Sequence, residues 1–267
     1  MAQTPPRDFP YWLVAAAFCG AAAALSIAAS DLYAQIFVTV AKGIGITIFV
    51  TIIAFALASA LGLGVALMGL SRSKLLSQVA RFYIEIIRGV PILVLLFWIA
   101  FAGVPAFVAM WNALTAPLQA AGLVGEMQVR DVSLLWRAVI ALMIAYSSFI
   151  AEIFRAGIQS VPEGQIDAAK TLGLTRAQRF RLIVWPQAFR TILPPYSNDF
   201  IAMVKDSSLV SVLGVADITQ MGKVYAAGSF RFFETYSIVA YIYLLLTISL
   251  SLALRGLERR MRYGSEA

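Results

Sequence analysis

VPEGQIDAAKTLGLTRAQRFRLIVWPQAFRTILPP, residues 161–195, is the longest hydrophilic interval in an otherwise apolar chain. Its composition predicts two short helices and a stop. Pro162 suits a helix start, where a missing N–H costs nothing. Residues 165–172 are good helix formers, and Asp167 lies in the first turn, where the helix dipole favours an anion. Gly173 then supplies the left-handed residue that ends the helix. Thr175 and Gln178 have capping-box spacing for a second helix, and Arg176, Arg179 and Arg181 keep that helix out of lipid. Trp185-Pro186 is expected to end or kink it. The small pair Ala168-Ala169 would let another protein come close. Taken singly, these residues describe a solvated loop; their surroundings decide whether they are more.

The chain has 267 residues, 61% hydrophobic and 13% charged, whereas soluble domains carry about 25% charged residues. Most of it must therefore face lipid or other buried helices. A net charge of +7 raises nucleic acid as a partner, but the basic residues are interleaved with apolar runs of about 20, which is a membrane pattern. No nucleic-acid partner is expected; lipid is. The absence of histidine excludes imidazole acid–base chemistry and histidine metal ligation, and no catalytic residue or metal site is assigned. Cys19 is the single cysteine, so no intrachain disulfide can form, and a small buried hydrophobe is expected there. No GxxxxGK[ST] loop is present, so the chain itself is expected to bind no cofactor and hydrolyse no ATP. Any ATPase must be a partner.

Residues 11–29 form the first apolar run, with Ala16, Gly20, Ala24 and Ala28 in a small-residue stripe that suits helix packing. A cleaved signal peptide is the competing reading, given Arg7 and the small residues near Ala28; Asp8, Pro10 and the length of the run favour a retained membrane helix. Residues 31–42 read as a short amphipathic connector. Residues 43–70 form a second span, with Ala54, Ala58, Gly62 and Ala66 as its packing stripe. Residues 71–89 are a basic turn in which Glu85 is spaced to pair with Arg88. A third span covers 91–104, bent or restarted at Gly89-Val90-Pro91. Residues 105–131 are expected as an extramembrane excursion with an interfacial helix around Trp111. Residues 132–154 make a fourth span, ending in Glu152 and Arg155, spaced to pair. In 196–215, a fifth span, Asn198, Asp199, Lys205 and Asp206 interrupt the apolar run. A charge at that depth costs about 2.5–3.5 kcal/mol, so Lys205 and Asp206 must face protein or water. Residues 217–234 form a polar connector, and 235–254 the sixth span, before a tail with Arg255, Arg259, Arg260 and Arg262.

Basic residues mark the cytoplasmic side. With the N-terminus inside, fifteen fall on inner segments: Arg7; Arg72, Lys74, Arg81 and Arg88; Arg155, Lys170, Arg176, Arg179, Arg181 and Arg190; and the four tail arginines. Four fall outside: Lys42, Arg130, Lys223 and Arg231. Arg137 and Lys205 belong to spans. The opening stretch is therefore expected in the cytoplasm, with both termini.

The spacing Asp167-Ala168-Ala169, three residues, Gly173, nine residues, Ile183, one residue, Trp185-Pro186 resembles the EAA motif of permease subunits in bacterial ABC importers. Asp167 stands for the motif's Glu and Trp185 for its Leu. Further blocks resemble the subfamily that imports polar amino acids of the histidine, glutamine and arginine type. They are Arg88-Gly89 with Pro91, Ala151-Glu152-Ile153 with Arg155-Ala156-Gly157, Val161-Pro162 with Gly164-Gln165, Pro186-Gln187-Ala188, Pro194, Asn198, and Lys205-Asp206-Ser207-Ser208-Leu209. The resemblance implies an all-α inner-membrane protein of about six spans: a five-helix type I ABC importer core, an extra N-terminal helix and a cytoplasmic coupling helix. It divides the chain into 1–42, an extra helix and connector; 43–256, the transmembrane domain with its EAA loop at 161–195; and 257–267, a basic cytoplasmic tail.

The resemblance further implies transport rather than catalysis. Gly164, Gln165, Asp167, Ala168, Ala169, Leu172 and Gly173 would couple to two cytoplasmic ATPase subunits, which would hold the ATP and Mg. A second permease subunit, identical or related, would complete the path, and an extracytoplasmic binding protein would deliver the amino acid. Glu152, Asn198, Lys205, Asp206 and Ser207 are the candidates to line the path. Lys205 and Asp206 have a second reading as structural charges, each with its own partner, and Glu152 with Arg155 reads first as a structural pair. An ATP-independent secondary transporter is the alternative function, which repeated broken helices in two matching halves would favour; none is evident.

Overall fold

The computed structural model describes residues 11–263, and among them every regular element is helical. In chain order these are α1 (Tyr11–Ala29), α2 (Asp31–Ala41), α3 (Ile44–Gly69), α4 (Lys74–Gly89), α5 (Ile92–Trp98), α6 (Val104–Ala120) and α7 (Leu134–Gln159). Then come α8 (Glu163–Thr171), α9 (Arg176–Arg179), α10 (Trp185–Asp206), α11 (Ile218–Ser229) and α12 (Phe232–Tyr263). Four stretches are long and apolar enough to cross a bilayer: Asp31–Gly69, Ile92–Ala120, Leu134–Gln159 and Phe232–Glu258. The 22-residue α10 is more polar, yet it packs against α7, α3 and α12. At 19 residues, α1 is about 28 Å long. Arg7 and the tail's last residues, 264–267, lie outside the described residues.

Two small-residue stripes that look alike in sequence behave differently. Ala54, Ala58, Gly62 and Ala66 are buried against α7, and a Cβ on Gly62 would lie 2.9 Å from the Ser147 carbonyl oxygen. Phe49 meets Trp136 at one end of this contact and Gly62 meets Ile150 farther along, so α3 and α7 run parallel. They form the centre of the bundle, with Leu96, Leu142, Ile150 and Met203 filling the space around them. On α1, by contrast, Ala24 and Ala28 are exposed and a Cβ on Gly20 would touch nothing. α1 leans on α2, and Tyr241 donates a hydrogen bond to the Gly20 carbonyl at 3.3 Å. Cys19, expected to be buried, is exposed for the same reason: little of the bundle reaches α1.

The structure also corrects three boundaries. Residues 31–41, expected as a short amphipathic connector, are helical and run into α3 after a short turn, so that Asp31–Gly69 is one long stretch. The excursion expected at 105–131 is mostly helix: Ile92–Ala120 is one long element, with Trp111 inside it. Trp185-Pro186, expected to end or kink its helix, does not end it, since α10 starts there directly after a π-turn. The last two share a cause. A π-turn covers Ile99–Gly103 and another Phe180–Val184, each followed by a proline at the second residue of the next α-segment. In an α-helix the proline ring strikes the carbonyl four residues back. Val104 N–H instead bonds the Ile99 carbonyl, and Trp185 N–H the Phe180 carbonyl, five residues back. The widened turn accommodates Pro105 and Pro186, and the helices continue.

Pro105 has no N–H, which leaves the Ala100 carbonyl, five residues back, without its π-type donor. Arg137 supplies one. Only 8% exposed, it donates from Nη1 to Ala100 O at 3.0 Å, from Nε to Val132 O at 2.9 Å and from Nη2 to Val129 O at 2.5 Å. The guanidinium thus ties the long helix and the 121–133 loop to the start of α7. Replacing Arg137 by Met keeps the stem and leaves three carbonyls unpartnered, at an expected cost of about 2–4 kcal/mol. Thermal unfolding of the detergent-solubilised chain should show a clearly lowered midpoint; an unchanged midpoint rules the tie out.

Candidate functional site

The capped hairpin expected at 163–179 is present. Pro162 precedes α8, and Gly173 closes it at φ +74°. Gly173 N–H bonds Lys170 O at 2.9 Å and Leu174 N–H bonds Ala169 O at 3.1 Å, the paired bonds of a Schellman ending. Two residues on, Thr175 Oγ1 accepts from Gln178 N–H at 3.3 Å while Gln178 Oε1 accepts from Thr175 N–H at 2.9 Å, opening α9. Six residues thus carry both the stop and the restart.

How α8 is held decides which side it offers. Val161, Ala188 and Ile192 form a buried knot between α7, α8 and α10, with Ile158, Ile166 and Val184 around it. Ala169 turns inward, 2% exposed, whereas Ala168 is exposed. The two alanines therefore do not form one contact face. Gln165 is tied across to α10, its Oε1 accepting from Gln187 Nε2 at 2.5 Å. Asp167 and Lys170 pair at 2.6 Å on the surface. Gly164, Ala168 and Leu172 remain open, Leu172 at 78% exposure. An apolar side chain that exposed, at the tip of a helix fixed at its base, suits a partner's cleft.

The second group lies on α10. Thr191, Pro194, Pro195, Asn198 and Lys205 are exposed, and their spacing puts them on one helical face. Asp206 lies elsewhere: its Oδ2 accepts from Tyr146 Oη at 2.7 Å. Ser207 is fully buried and donates to Val204 O at 2.7 Å, so it does not line the open face. Lys205 and Asp206 therefore point apart, and among the described residues they make no ion pair with each other. Glu152 binds Arg155, whose Nε donates to Glu152 Oε2 at 3.0 Å. The pair lies beside α3 and α4, and among the described residues no hydrogen bond or ion pair joins it to Asn198 or Lys205.

Sequence reading noted Asp199 without giving it a role and passed over Tyr146. Asp199 Oδ2 is buried with no hydrogen-bond partner, a costly state for a carboxylate unless something else satisfies it. Arg88 is the neighbouring cation; its guanidinium carbon lies 5.4 Å from the centre of the Phe149 ring, not on Glu85 as the helix spacing suggested. A carboxylate interrupting an apolar run was the available signal for Asp199; nothing in sequence marked Tyr146. Behind the face, Tyr196 accepts or donates with Ser59 at 2.8 Å and packs on Phe55 and Phe154.

A parallel α3–α7 core, a polar α10 with one open face, and a capped hairpin at one end of the bundle define the transmembrane subunit of a type I ABC importer. Residues 58–263 match the family described as binding-protein-dependent transport system inner membrane component, and the chain belongs to that family. It is 36% identical over 225 residues to the probable amino-acid permease protein YxeN of Bacillus subtilis (strain 168), covering 84% of this chain and 92% of the relative. It is 35% identical over 224 residues to the glutamine transport system permease protein GlnP of Escherichia coli (strain K12), covering 83% and 92%. A solved amino acid ABC transporter with histidines superposes with a TM-score of 0.71 at 37% identity, over 88% of this chain and 97% of that one. The MetNI methionine ABC transporter in an inward-facing conformation, at 18% identity and a TM-score of 0.62 over 87% and 99%, shares the fold. The chain is thus a multi-pass inner-membrane permease subunit, and the secondary-transporter alternative falls away.

Proposed function

We propose that this permease imports polar amino acids and that α8 is its coupling element. The observation that carries the reading is the anchored hairpin: α8 is fastened to α7 and α10 by Val161, Ala188 and Ile192, while Gly164, Ala168 and Leu172 face outward. A short helix stiffly joined to two long ones transmits displacement rather than absorbing it. A partner ATPase would receive α8 in a groove, hold ATP and Mg, and carry out the hydrolysis; this chain would contribute none. Closure of the ATPase pair would push α8 and so tilt α7 and α10. Asn198 and Lys205, with Asp199 behind them, would face the path, completed by a second permease subunit, and Tyr146 would position Asp206. The names of the relatives support the substrate class, and the basic-residue count supports cytoplasmic termini.

The test is reconstitution with the ATPase subunits and an extracytoplasmic binding protein, measuring ATPase stimulation across L-glutamine, L-arginine, L-histidine, L-leucine and maltose. Stimulation by one or more of the polar amino acids, with little from L-leucine or maltose, is expected. Stimulation by maltose alone, or ATPase activity indifferent to the binding protein, would overturn the reading.

A further inference from the structure

A groove of about 290 Å³ opens at the α8 end of the bundle, between the ends of α3 and α7 and one side of α4. Its floor is apolar: Val65, Ala66, Ala80 and Ile84. Its rim carries Arg81 and Glu85 from α4, and Glu152, Arg155 and Gln159 from α7. The α7 side is internally satisfied, because Arg155 holds both Glu152 and Gln159, the latter at 2.6 Å. The α4 side is not. Arg81 and Glu85 are one helical turn apart yet have no hydrogen bond or ion pair with each other or with any other described residue. One guanidinium and one carboxylate thus stand open above an apolar floor.

We propose that this groove binds a free amino acid from the cytoplasm and restrains the transporter when it does. The chemistry selects the ligand class. The two guanidiniums on the rim balance its two carboxylates, which suits a neutral zwitterion better than a phosphate or a metal cation. A ligand carboxylate would meet Arg81 and its ammonium Glu85, each by a charge-assisted bond, while the side chain lies on Val65 and Ile84. The volume is at the small end of small-molecule sites. The effect follows from position: Gln159 is the last residue of α7, and α8 begins at Glu163. A ligand filling the groove between α4 and this end of α7 would resist their approach and so the movement that α8 imparts, and accumulated product would slow its own import. This rests on the amino-acid reading above for the identity of the ligand.

The test uses the full complex in vesicles with the ATPase face outward and the binding protein and L-glutamine sealed inside. L-Glutamine added outside should lower the stimulated ATPase rate. Glutaramate, which lacks the ammonium, and L-glutaminamide, which lacks the carboxylate, should not. Arg81→Gln and Glu85→Gln should each raise the inhibitory concentration by about tenfold or more while leaving the uninhibited rate unchanged. Binding of radiolabelled L-glutamine to the permease–ATPase complex without binding protein should fall in the same variants. Inhibition that both analogues reproduce, or that both variants retain, overturns the proposal, as does an uninhibited wild type. A rate that depends on phosphatidylethanolamine, with that dependence lost in the variants, assigns the groove to a lipid headgroup and also overturns it. Failure of every one of internal L-glutamine, L-arginine and L-histidine to stimulate the wild type would count against the transport reading instead, and the radiolabel measurement, made with each of the three, still decides the groove.

Discussion

A Gly173→Val permease is expected to insert and assemble with its ATPase yet to lose most uptake, while ATP continues to be hydrolysed. Gly173 has φ +74°, and a Cβ there would touch nothing, so the effect does not arise from a clash at Cβ. It arises from the backbone. A β-branched residue in the left-handed region costs about 1–2 kcal/mol, enough to favour loss of the Schellman ending over its retention. The two bonds from Gly173 and Leu174 back to Lys170 and Ala169 would break, α8 would fray at Leu172, and its tip would no longer be held at a fixed angle to α9. Gly173→Asn, which tolerates this conformation better, should keep most uptake. The readouts are transport and ATPase rates on the same vesicles. Tight coupling in the valine variant would remove α8 from its assigned role.

Gly157→Val should be the more damaging change to the fold. A Cβ at 157 would lie 2.2 Å from Ile192 Cγ1 and 3.3 Å from the Ala188 carbonyl oxygen. Here α7 and α10 approach so closely that a hydrogen is the largest side chain that fits. Overpacking of this kind costs about 1–3 kcal/mol when neighbours can shift, and the backbone oxygen shifts less readily than the isoleucine. The knot at the base of α8 would be wedged open, so the thermal midpoint and uptake should fall together. Ile192→Ala in the same chain should restore part of both, because it removes the nearer obstruction. Strictly additive losses in the double variant would show that the two residues do not meet.

What sequence disclosed followed from how local the cause was. The α8 ending needed only Gly173, Thr175 and Gln178, all within one turn of the bonds they make, and it was legible. So was the α3 stripe as a packing surface, though Gly20, Ala24 and Ala28 in the like pattern on α1 pack on little, because a stripe records what can pack and not whether a neighbour arrives; Ala16 lies outside the described side chains. Pro105 was misread as an end, and of the two outcomes expected at Pro186, an end or a kink, the end did not occur. The rule that proline breaks an α-helix holds; what the pattern hides is that the turn before it can widen. Asp206 was rightly separated from Lys205 by the geometry of adjacent helical residues, but its partner, Tyr146, lies 60 residues away, beyond any spacing argument. Ala168 and Ala169 were joined as one face although neighbours on a helix point about 100° apart.

The two π-turns have a bearing on chain length. Each holds one residue more than the α-turn it replaces, so each is a place where the chain can lose a residue and return to ordinary helix once the proline that follows is replaced as well. The same loss inside α7 would turn every later side chain by about 100°, carrying Ile150, Ala151 and Gly157 off the surfaces they fill. Ile99–Gly103 and Phe180–Val184 are therefore the places where this bundle could shorten by one residue without disturbing the parallel core.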